Sequence, residues 1–342
     1  MNMYFLSLLV VIQIINILTI PGFSQDTDTR SIRLMFYNVE NLFDTDHDSL
    51  KDDVEFLPGG VRRWSQSRYN RKISSLYKTI AAAGEWSMPG IVVLCEVENR
   101  KVLEDLVYGT YLSKYDYGIV HEESPDPRGI DVCMIYRRDC AEVINYRYLI
   151  PANTGRENFH TRSVLYASLL IGSDTLHLIA NHWPSRRGGA LAGEGMRIKI
   201  AEMVKDLCDS IGHAARGGAK IIIGGDFNCD PDDLEIRALL DHGNTGFHLI
   251  NLTSDLAERG EGTYRYKGIW EMIDQVIVSE PLLNSVAGLY TGQGFVNVFR
   301  PGFLLAKDPV YPGSSPFSTY RGYRYQGGFS DHLPVLTDLF VK

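Results

Sequence analysis

The sequence predicts an α/β protein in which packed β-sheets are covered by helices. Three observations carry this reading. Short apolar runs rich in β-branched residues recur along the chain. Two longer segments repeat their apolar residues at helical spacing. Hydrophobic residues at 44% and charged residues at 22% are ordinary for a globular domain and exclude disorder, coiled coil and collagen.

The elements follow in order. The first strand run is 32–37. Tyr69, Ile73, Leu76, Tyr77 and Ile80 then share one helical face. Runs at 91–95, 130–136, 164–171 and 176–180 have the length and branching of strands. Met196, Ile200, Met203, Val204, Leu207 and Ile211 mark a second helix, and runs at 220–224, 273–279 and 333–340 complete the set. The loop at 44–53 is acidic. The excursion at 301–328 is long, aromatic and partly basic, a length found in functional or mobile loops and also in surface excursions without a role. With no repeat and no low-complexity linker, one domain over 31–342 is expected.

The N-terminus reads as an address. Of 342 residues, the first 24 contain no Asp, Glu, Lys or Arg, which leaves 318 residues carrying the whole net charge of −8. An apolar run over 4–20, followed by Gly22-Phe23-Ser24 before Gln25, has the form of a cleaved signal peptide over 1–24. The lack of an n-region cation, with Gln13 and Asn16 inside the run, leaves an uncleaved membrane anchor open. Either way the domain is expected in the periplasm or outside the cell. The five cysteines, Cys95, Cys133, Cys140, Cys208 and Cys229, are odd in number and show no CxxC spacing, so buried apolar packing is the expectation rather than a disulfide framework. The acidic balance argues against holding nucleic acid by bulk positive charge. It leaves room for an enzyme that cuts it, since a metal site needs local carboxylates.

Polar residues concentrate where the predicted strands end. Asn38-Val39-Glu40-Asn41 closes the first strand and Glu96-Val97-Glu98-Asn99 the second. Asn181-His182 and Asp226-Phe227-Asn228 close two more, while Asp274 and Ser330-Asp331-His332 open others. A single strand-end Asp is a turn former or cap as readily as a ligand. Six such motifs in one chain point to strand ends that converge on a site. Carboxylates and amide oxygens without thiolates suit a hard cation, Mg²⁺ with Mn²⁺ or Ca²⁺ as alternatives. Two His residues able to pair with carboxylates suit acid–base work. No nucleophile elbow and no Walker loop occurs. Metal-assisted phosphoester hydrolysis by activated water fits this inventory.

The ordered set Asn38-Val39-Glu40, Glu96, Asn181-His182, Gly225-Asp226-Phe227-Asn228, Ile273-Asp274-Gln275 and Ser330-Asp331-His332 resembles the endonuclease/exonuclease/phosphatase superfamily. That superfamily includes deoxyribonuclease I, apurinic endonucleases, inositol-phosphate 5-phosphatases and neutral sphingomyelinases. The resemblance runs over 31–342, and Asn38 to Asp44 with Asn181 to Ser185 is similar to a secreted bacterial branch. It implies a four-layer α/β sandwich, two packed mixed sheets flanked by helices. It implies Glu96 as the principal metal ligand, with Asn38 and Glu40 completing or supporting the site and Asp331 joining through water. Asp226 is implied to activate the water and Asn228 to steady it. His332 is implied to contact the scissile phosphate with Asp274 as its partner. His182 is implied as the second His with Asp131 orienting it, and Arg162 and Asn181 as phosphate contacts. Two departures stand out. The Arg that deoxyribonuclease I-like enzymes carry two residues after the metal Glu is Glu98 here, where Glu98-Asn99 also suits a helix cap. The Tyr that apurinic endonucleases place near the phosphate has no counterpart.

The leading expectation is therefore a secreted, divalent-metal-dependent phosphodiesterase acting on nucleic acid. Arg186, Arg187, Arg265, Lys267, Arg321 and Arg324 are available for phosphates, and Trp183, Tyr264, Tyr266, Trp270, Tyr320 and Tyr323 for bases. The same groups also suit a protein edge. The alternative enzyme is a phosphatase or phospholipase C-type hydrolase acting on inositol or sugar phosphates or on sphingomyelin-like membrane lipid. A non-catalytic binding module on the same scaffold is a third reading. No obligate protein partner is evident in the sequence.

Overall fold

A computed structural model describes residues 30–151, 160–186, 193–243, 247–286 and 288–342. The expected signal segment 1–24 and Arg187 lie outside the described residues. In chain order the strands begin with β1 (Arg30–Leu42), β2 (Ile91–Val97), β3 (Tyr117–Val120), β4 (Asp131–Arg137) and β5 (Glu142–Leu149). Then come β6 (Val164–Ile171), β7 (Asp174–His182), β8 (Lys220–Asp226), β9 (Leu249–Asn251), β10 (Tyr264–Tyr266), β11 (Ile269–Glu271) and β12 (Asp274–Ser279). The last are β13 (Leu289–Tyr290), β14 (Val296–Val298), β15 (Leu305–Lys307), β16 (Ser314–Pro316), β17 (Tyr320–Arg321), β18 (Arg324–Tyr325) and β19 (Val335–Val341). The helices are α1 (Gln66–Gly84), α2 (Arg100–Tyr108), α3 (Glu194–Ala214), α4 (Leu234–Leu240) and α5 (Ser254–Glu258).

Two large sheets form. The first has the order β13-β19-β1-β2-β4-β3 with β14 beside β19, and the second has the order β5-β6-β7-β8-β12-β9. Each contains one parallel pair, β1–β2 and β7–β8, among antiparallel neighbours. A parallel pair needs a crossover, and α1 and α3 lie on the two crossovers. The C-terminal ends of β1, β2, β7 and β8 thus emerge beside the starts of β4 and β12, with Asp226 opposite both His182 and Asp274 in register.

Strand alternation builds the layers. Leu34 and Phe36 of β1 point into the space between the sheets, where they meet Leu165, Leu178, Ile222 and Val276. Met35 and Tyr37 point the other way, onto Ile73, Leu76 and Ile80 of α1 and Leu103 of α2. In the second sheet Ile221 and Ile223 face Val204, Leu207, Ile236 and Leu239 of α3 and α4. The result is the expected four-layer sandwich, helices on sheet on sheet on helices. Strands buried on both faces carry apolar residues at every position, which is why the central strands read as unbroken runs.

All eight expected strand runs coincide with observed strands, overrunning them only at residues 130, 273 and 333–334, and both expected helices lie within α1 and α3. The edge strands were not legible. Strand β5 is exposed along most of its length and carries Glu142, Asn145 and Arg147, so it lacks an apolar run. The 301–328 excursion holds β15–β16 and β17–β18, hairpin strands of two or three residues, too short to show a period. All five cysteines are free, four of them buried. Among the described residues no helix is long and apolar enough to cross a membrane.

Candidate active site

The polar strand ends meet. Asn38 Nδ2 donates to Asp226 Oδ2 at 2.9 Å. The His182 Nε2 atom lies 3.6 Å from Asp226 and 3.7 Å from Glu96. His332 Nδ1 bonds to Asp274 Oδ2 at 2.7 Å, and its Nε2 lies 4.0 Å from both Asp226 and Asp331. Asn228 donates its backbone N–H to Asp226 Oδ1 at 2.8 Å and its Nδ2 to the Trp183 carbonyl at 3.0 Å. Asp226, Asp274 and both His residues are buried, while the Glu96 and Asp331 carboxylates reach solvent at 17% and 43%.

Local backbone geometry aims these groups. Glu40, Asn41, Glu96 and Asn228 all adopt left-handed φ values of 51–65°, an uncommon conformation outside glycine. The registers of β1 against β2 and of β2 against β4 shift at these points, so Glu96 sits on a bulge that re-aims its side chain. Its Oε2 accepts the Asn41 N–H at 2.9 Å, which leaves Oε1 turned toward His182. Gly225 has φ +122°, and a Cβ there would sit 2.1 Å from the Asn181 carbonyl, so only glycine lets β8 run so close to β7.

Electrostatics separates the two imidazoles. Burial opposes charge on His332. The Asp274 carboxylate, by charge and hydrogen bond, and then Asp226 and Asp331 outweigh it and hold its pKa well above the ordinary value. Burial, with the nearby Arg162, Arg128 and His332 charges, drives His182 well below it. The surroundings thus favour the charged form of His332 and the neutral form of His182, a division of labour that acid–base sites use. Since His182 Nε2 faces carboxylates, the proton is assigned there. Burial also pushes the Asp226 carboxyl up to about 7, against the His332 charge. Thr263 Oγ1 donates to Asp274 at 2.5 Å and Ser330 Oγ accepts the His332 N–H at 3.1 Å, fixing the pair from both sides.

Four expected roles do not match the geometry. Asp131 does not reach His182: its carboxylate takes His121 Nε2 at 3.0 Å and the Ser124 N–H at 2.9 Å. His182 Nδ1 is left buried without a partner among the described residues. Asn181 is fully buried and its Oδ1 accepts the Trp183 indole N–H at 3.0 Å, so its side chain faces the core rather than a phosphate. Glu40 is not arranged as a metal ligand. Its two oxygens accept the backbone N–H groups of Thr319 and Tyr320 at 2.5 and 2.9 Å, which ties the 301–328 excursion to β1. Arg162 is buried and spends Nη2 on the Trp183 carbonyl at 2.7 Å and Nη1 on Asp126 at 3.4 Å, with Nε unpartnered among the described residues. Trp183 is itself buried against Phe227 and unavailable for stacking.

Two residues escaped sequence reasoning. Thr263 carried no signal. Lys72 carried one: it falls in the stripe Tyr69, Lys72, Ile73, Leu76, Ile80 that α1 buries. Its Nζ donates to Thr319 Oγ1 and the Phe329 carbonyl, both at 2.6 Å.

Glu98 is structural. It accepts the Asp44 N–H at 2.7 Å and the Asn99 Nδ2 at 3.1 Å, while Asn99 caps α2 through the Val102 N–H at 3.0 Å. Burial first, then Asp44 and Asp53, pushes the Glu98 carboxyl up to about 8. A raised carboxyl pKa favours the fold below the unfolded value, and that contribution is lost as pH rises toward 8. Glu98→Gln is therefore expected to melt like wild type at pH 4 and several degrees higher at pH 9. Parallel melting curves at both pH values would refute the assignment.

Comparison with known proteins fits this geometry. The family model for the endonuclease/exonuclease/phosphatase family matches residues 33–340. A solved humanized D. rerio TDP2 covers 90% of this chain and 98% of its own at 15% identity, with a TM-score of 0.55. A Bacteroides thetaiotaomicron mannosyl-6-phosphatase covers 90% of this chain and 99% of its own at 15% identity, TM-score 0.57. A Bacteroides vulgatus endonuclease/exonuclease/phosphatase covers 92% of this chain and 100% of its own at 14% identity, TM-score 0.57. These likenesses show the fold alone. No curated protein matches the chain by sequence comparison. By a family match over nearly its full length, on a sandwich of this fold, the chain belongs to the endonuclease/exonuclease/phosphatase family of phosphoester hydrolases.

Proposed function

We propose that this enzyme is a Mg²⁺-dependent phosphodiesterase that cleaves a P–O bond with an activated water, prefers nucleic acid and works outside the cytoplasm. The observation that carries the chemistry is the buried His332–Asp274 pair beside Asp226, facing Glu96 and Asp331. The carboxylates fit a hard divalent cation: Asp226, Asp274 and Asp331 lie within 4.0 Å of His332, and Glu96 lies 3.7 Å from His182. Glu96 and Asp331 would hold the ion, with Asn38 supporting, and Mn²⁺ or Ca²⁺ are its rivals. Bound there, the ion would supply Lewis-acid stabilisation of charge on the phosphoryl oxygens.

The protein's own groups do the rest. Asp226, held by Asn38 and the Asn228 N–H, takes a proton from water. Asn228, its amide anchored on the Trp183 carbonyl, keeps that water in line. His332, oriented through Nδ1 by Asp274, presents a charged Nε2–H to the phosphate oxygen that gains charge. His182, neutral beside Glu96, offers a second N–H at the same place.

The preference for nucleic acid is supported by a TDP2 of the same fold solved with a single-strand DNA product. A phosphomonoesterase is the second reading, favoured by the mannosyl-6-phosphatase. A substrate panel decides: plasmid, single-stranded DNA, RNA, bis-p-nitrophenyl phosphate, sugar and inositol phosphates, and sphingomyelin. Diester cleavage that EDTA abolishes, Mg²⁺ restores and Glu96→Gln lowers at least the roughly 10–100-fold seen for weakened metal shells is expected. Turnover of monoesters alone would reject the diesterase reading, and full activity in EDTA would reject the metal. Export is supported by the charge-free 24-residue leader, and a secreted form beginning at Gln25 is its expected trace.

A further inference from the structure

The charges of this chain are segregated. Its net charge is −8, yet residues 56–84 and 309–330 hold eight of its 34 basic residues and none of its 42 acidic ones. The fold lays these two distant stretches side by side. Arg62 donates to the Gly322 carbonyl at 3.2 Å, and Arg71 to that of Gly327 at 3.1 Å. The Tyr320 hydroxyl donates to the Arg62 carbonyl at 3.0 Å. Of the eight cations only Lys72 is fully buried. Among ion pairs of the described residues, Glu55 at 3.3 Å from Arg62 is the single carboxylate that pairs with the rest.

Aromatic rings are interleaved with these guanidiniums. Arg62 lies 5.0 Å over Tyr320 and 5.6 Å over Tyr323, and Arg68 lies 4.3 Å over Tyr325. Tyr323, in the turn between β17 and β18, is 68% exposed. The strip leads into the hydrolytic site. Thr319 and Tyr320 are bonded to Glu40, and Phe329 continues directly into Ser330, Asp331 and His332.

We infer that this face, Arg62, Arg63, Arg68 and Arg71 before and along α1 with Arg321 and Arg324 on the β17–β18 hairpin, binds a single-stranded nucleic acid segment running away from the hydrolytic site. The inference rests on the nuclease reading and gives it a substrate class. Arginine forks match phosphate oxygens, and several here are already held by carbonyls, so little freedom is lost on binding. An exposed ring among guanidiniums is what unpaired bases stack on. A duplex hides its bases and would leave Tyr323 unused. A small sugar phosphate cannot span the strip.

The test uses the purified protein in EDTA, so that binding is read without cleavage. A fluorescent dT20 strand is titrated over a range of salt, against wild type and the Arg321→Ser/Arg324→Ser variant. The control is Arg216→Ser/Arg237→Ser, which loses the same charge from exposed positions in the α3–α4 layer on the far side of the sandwich. The hairpin variant should bind on the order of tenfold more weakly, with a salt slope shallower by about 1.4, roughly 0.7 for each phosphate no longer neutralised. The control should bind as wild type does. Equal affinity and slope in the hairpin variant overturns the inference, as does an equal weakening in the control. Tighter binding of a 20-base-pair duplex overturns the single-strand assignment, and binding of phosphatidylserine vesicles without dT20 replaces it by a membrane. A separate assay with bis-p-nitrophenyl phosphate reports the hydrolytic site, so its failure and that of this face are distinguishable.

Discussion

Replacement of His332 by Gln lowers kcat on a small phosphodiester by about 10³-fold, within the range expected for a positioned acid–base group, with KM changed far less. The reason is where its charge sits. The imidazolium is buried, is held through Nδ1 at 2.7 Å by Asp274, and points Nε2 toward Asp226 and Asp331. Gln can still donate a hydrogen bond from this place but brings no positive charge to a phosphate that gains negative charge. Asp274→Asn should fall nearly as far, because it removes the anion that keeps His332 charged. The double variant should be little worse than either single one, since groups that act as a unit are not additive. Steady-state kinetics on all three variants checks this. A His332→Gln enzyme within threefold of wild type would remove His332 from the chemistry.

Replacement of Lys72 by Met destabilises the fold by about 3–5 kcal/mol, the usual result of breaking a buried charged network from one side. Lys72 is buried, and burial draws its pKa down while Glu40 and Asp331 hold it up. Its ammonium is the clasp between α1 and the segment that delivers the catalytic His, through Thr319 and the Phe329 carbonyl. Without that clasp the carbonyl is stranded and Glu40 keeps backbone N–H partners alone. The melting temperature should fall by about 10 °C, given roughly 2–4 °C per kcal/mol in large domains. Adding Glu40→Gln should recover part of the stability, because the stranded charge is then gone. Differential scanning calorimetry measures both, and a Lys72→Met protein that melts with wild type would refute the clasp.

The sequence carried the middle of each sheet and lost the edges, for one physical reason. Strands such as β2 and β8 bury both faces and announce themselves by continuous apolar runs, whereas β5 faces water and reads as polar chain. The kinds of residue in the site were legible because six polar motifs closing or opening apolar strands in one chain are hard to explain unless the strand ends converge. Their partners were not. Strand alternation predicts which way a side chain points only until a bulge or a left-handed residue intervenes, and Glu40, Asn41, Glu96 and Asn228 are all left-handed. Thus Glu40 turned to a backbone clasp, Asn181 to Trp183, and Asp131 to His121. Lys72 was visible in the helical stripe, but a lysine there passes for a snorkelling surface residue.

The pairing of β1 with β19 has a consequence in time. Ser330 bonds to the Asn38 carbonyl across 292 residues, and His332 enters the site only when the final strand docks beside the first. At synthesis rates of about 5–20 residues per second, the ribosome needs on the order of tens of seconds to travel from one to the other. Once Asp226 has been made, the growing chain carries Glu96, His182 and Asp226 but still lacks His332. Docking of the last-made strand against the first is therefore the step that completes the site.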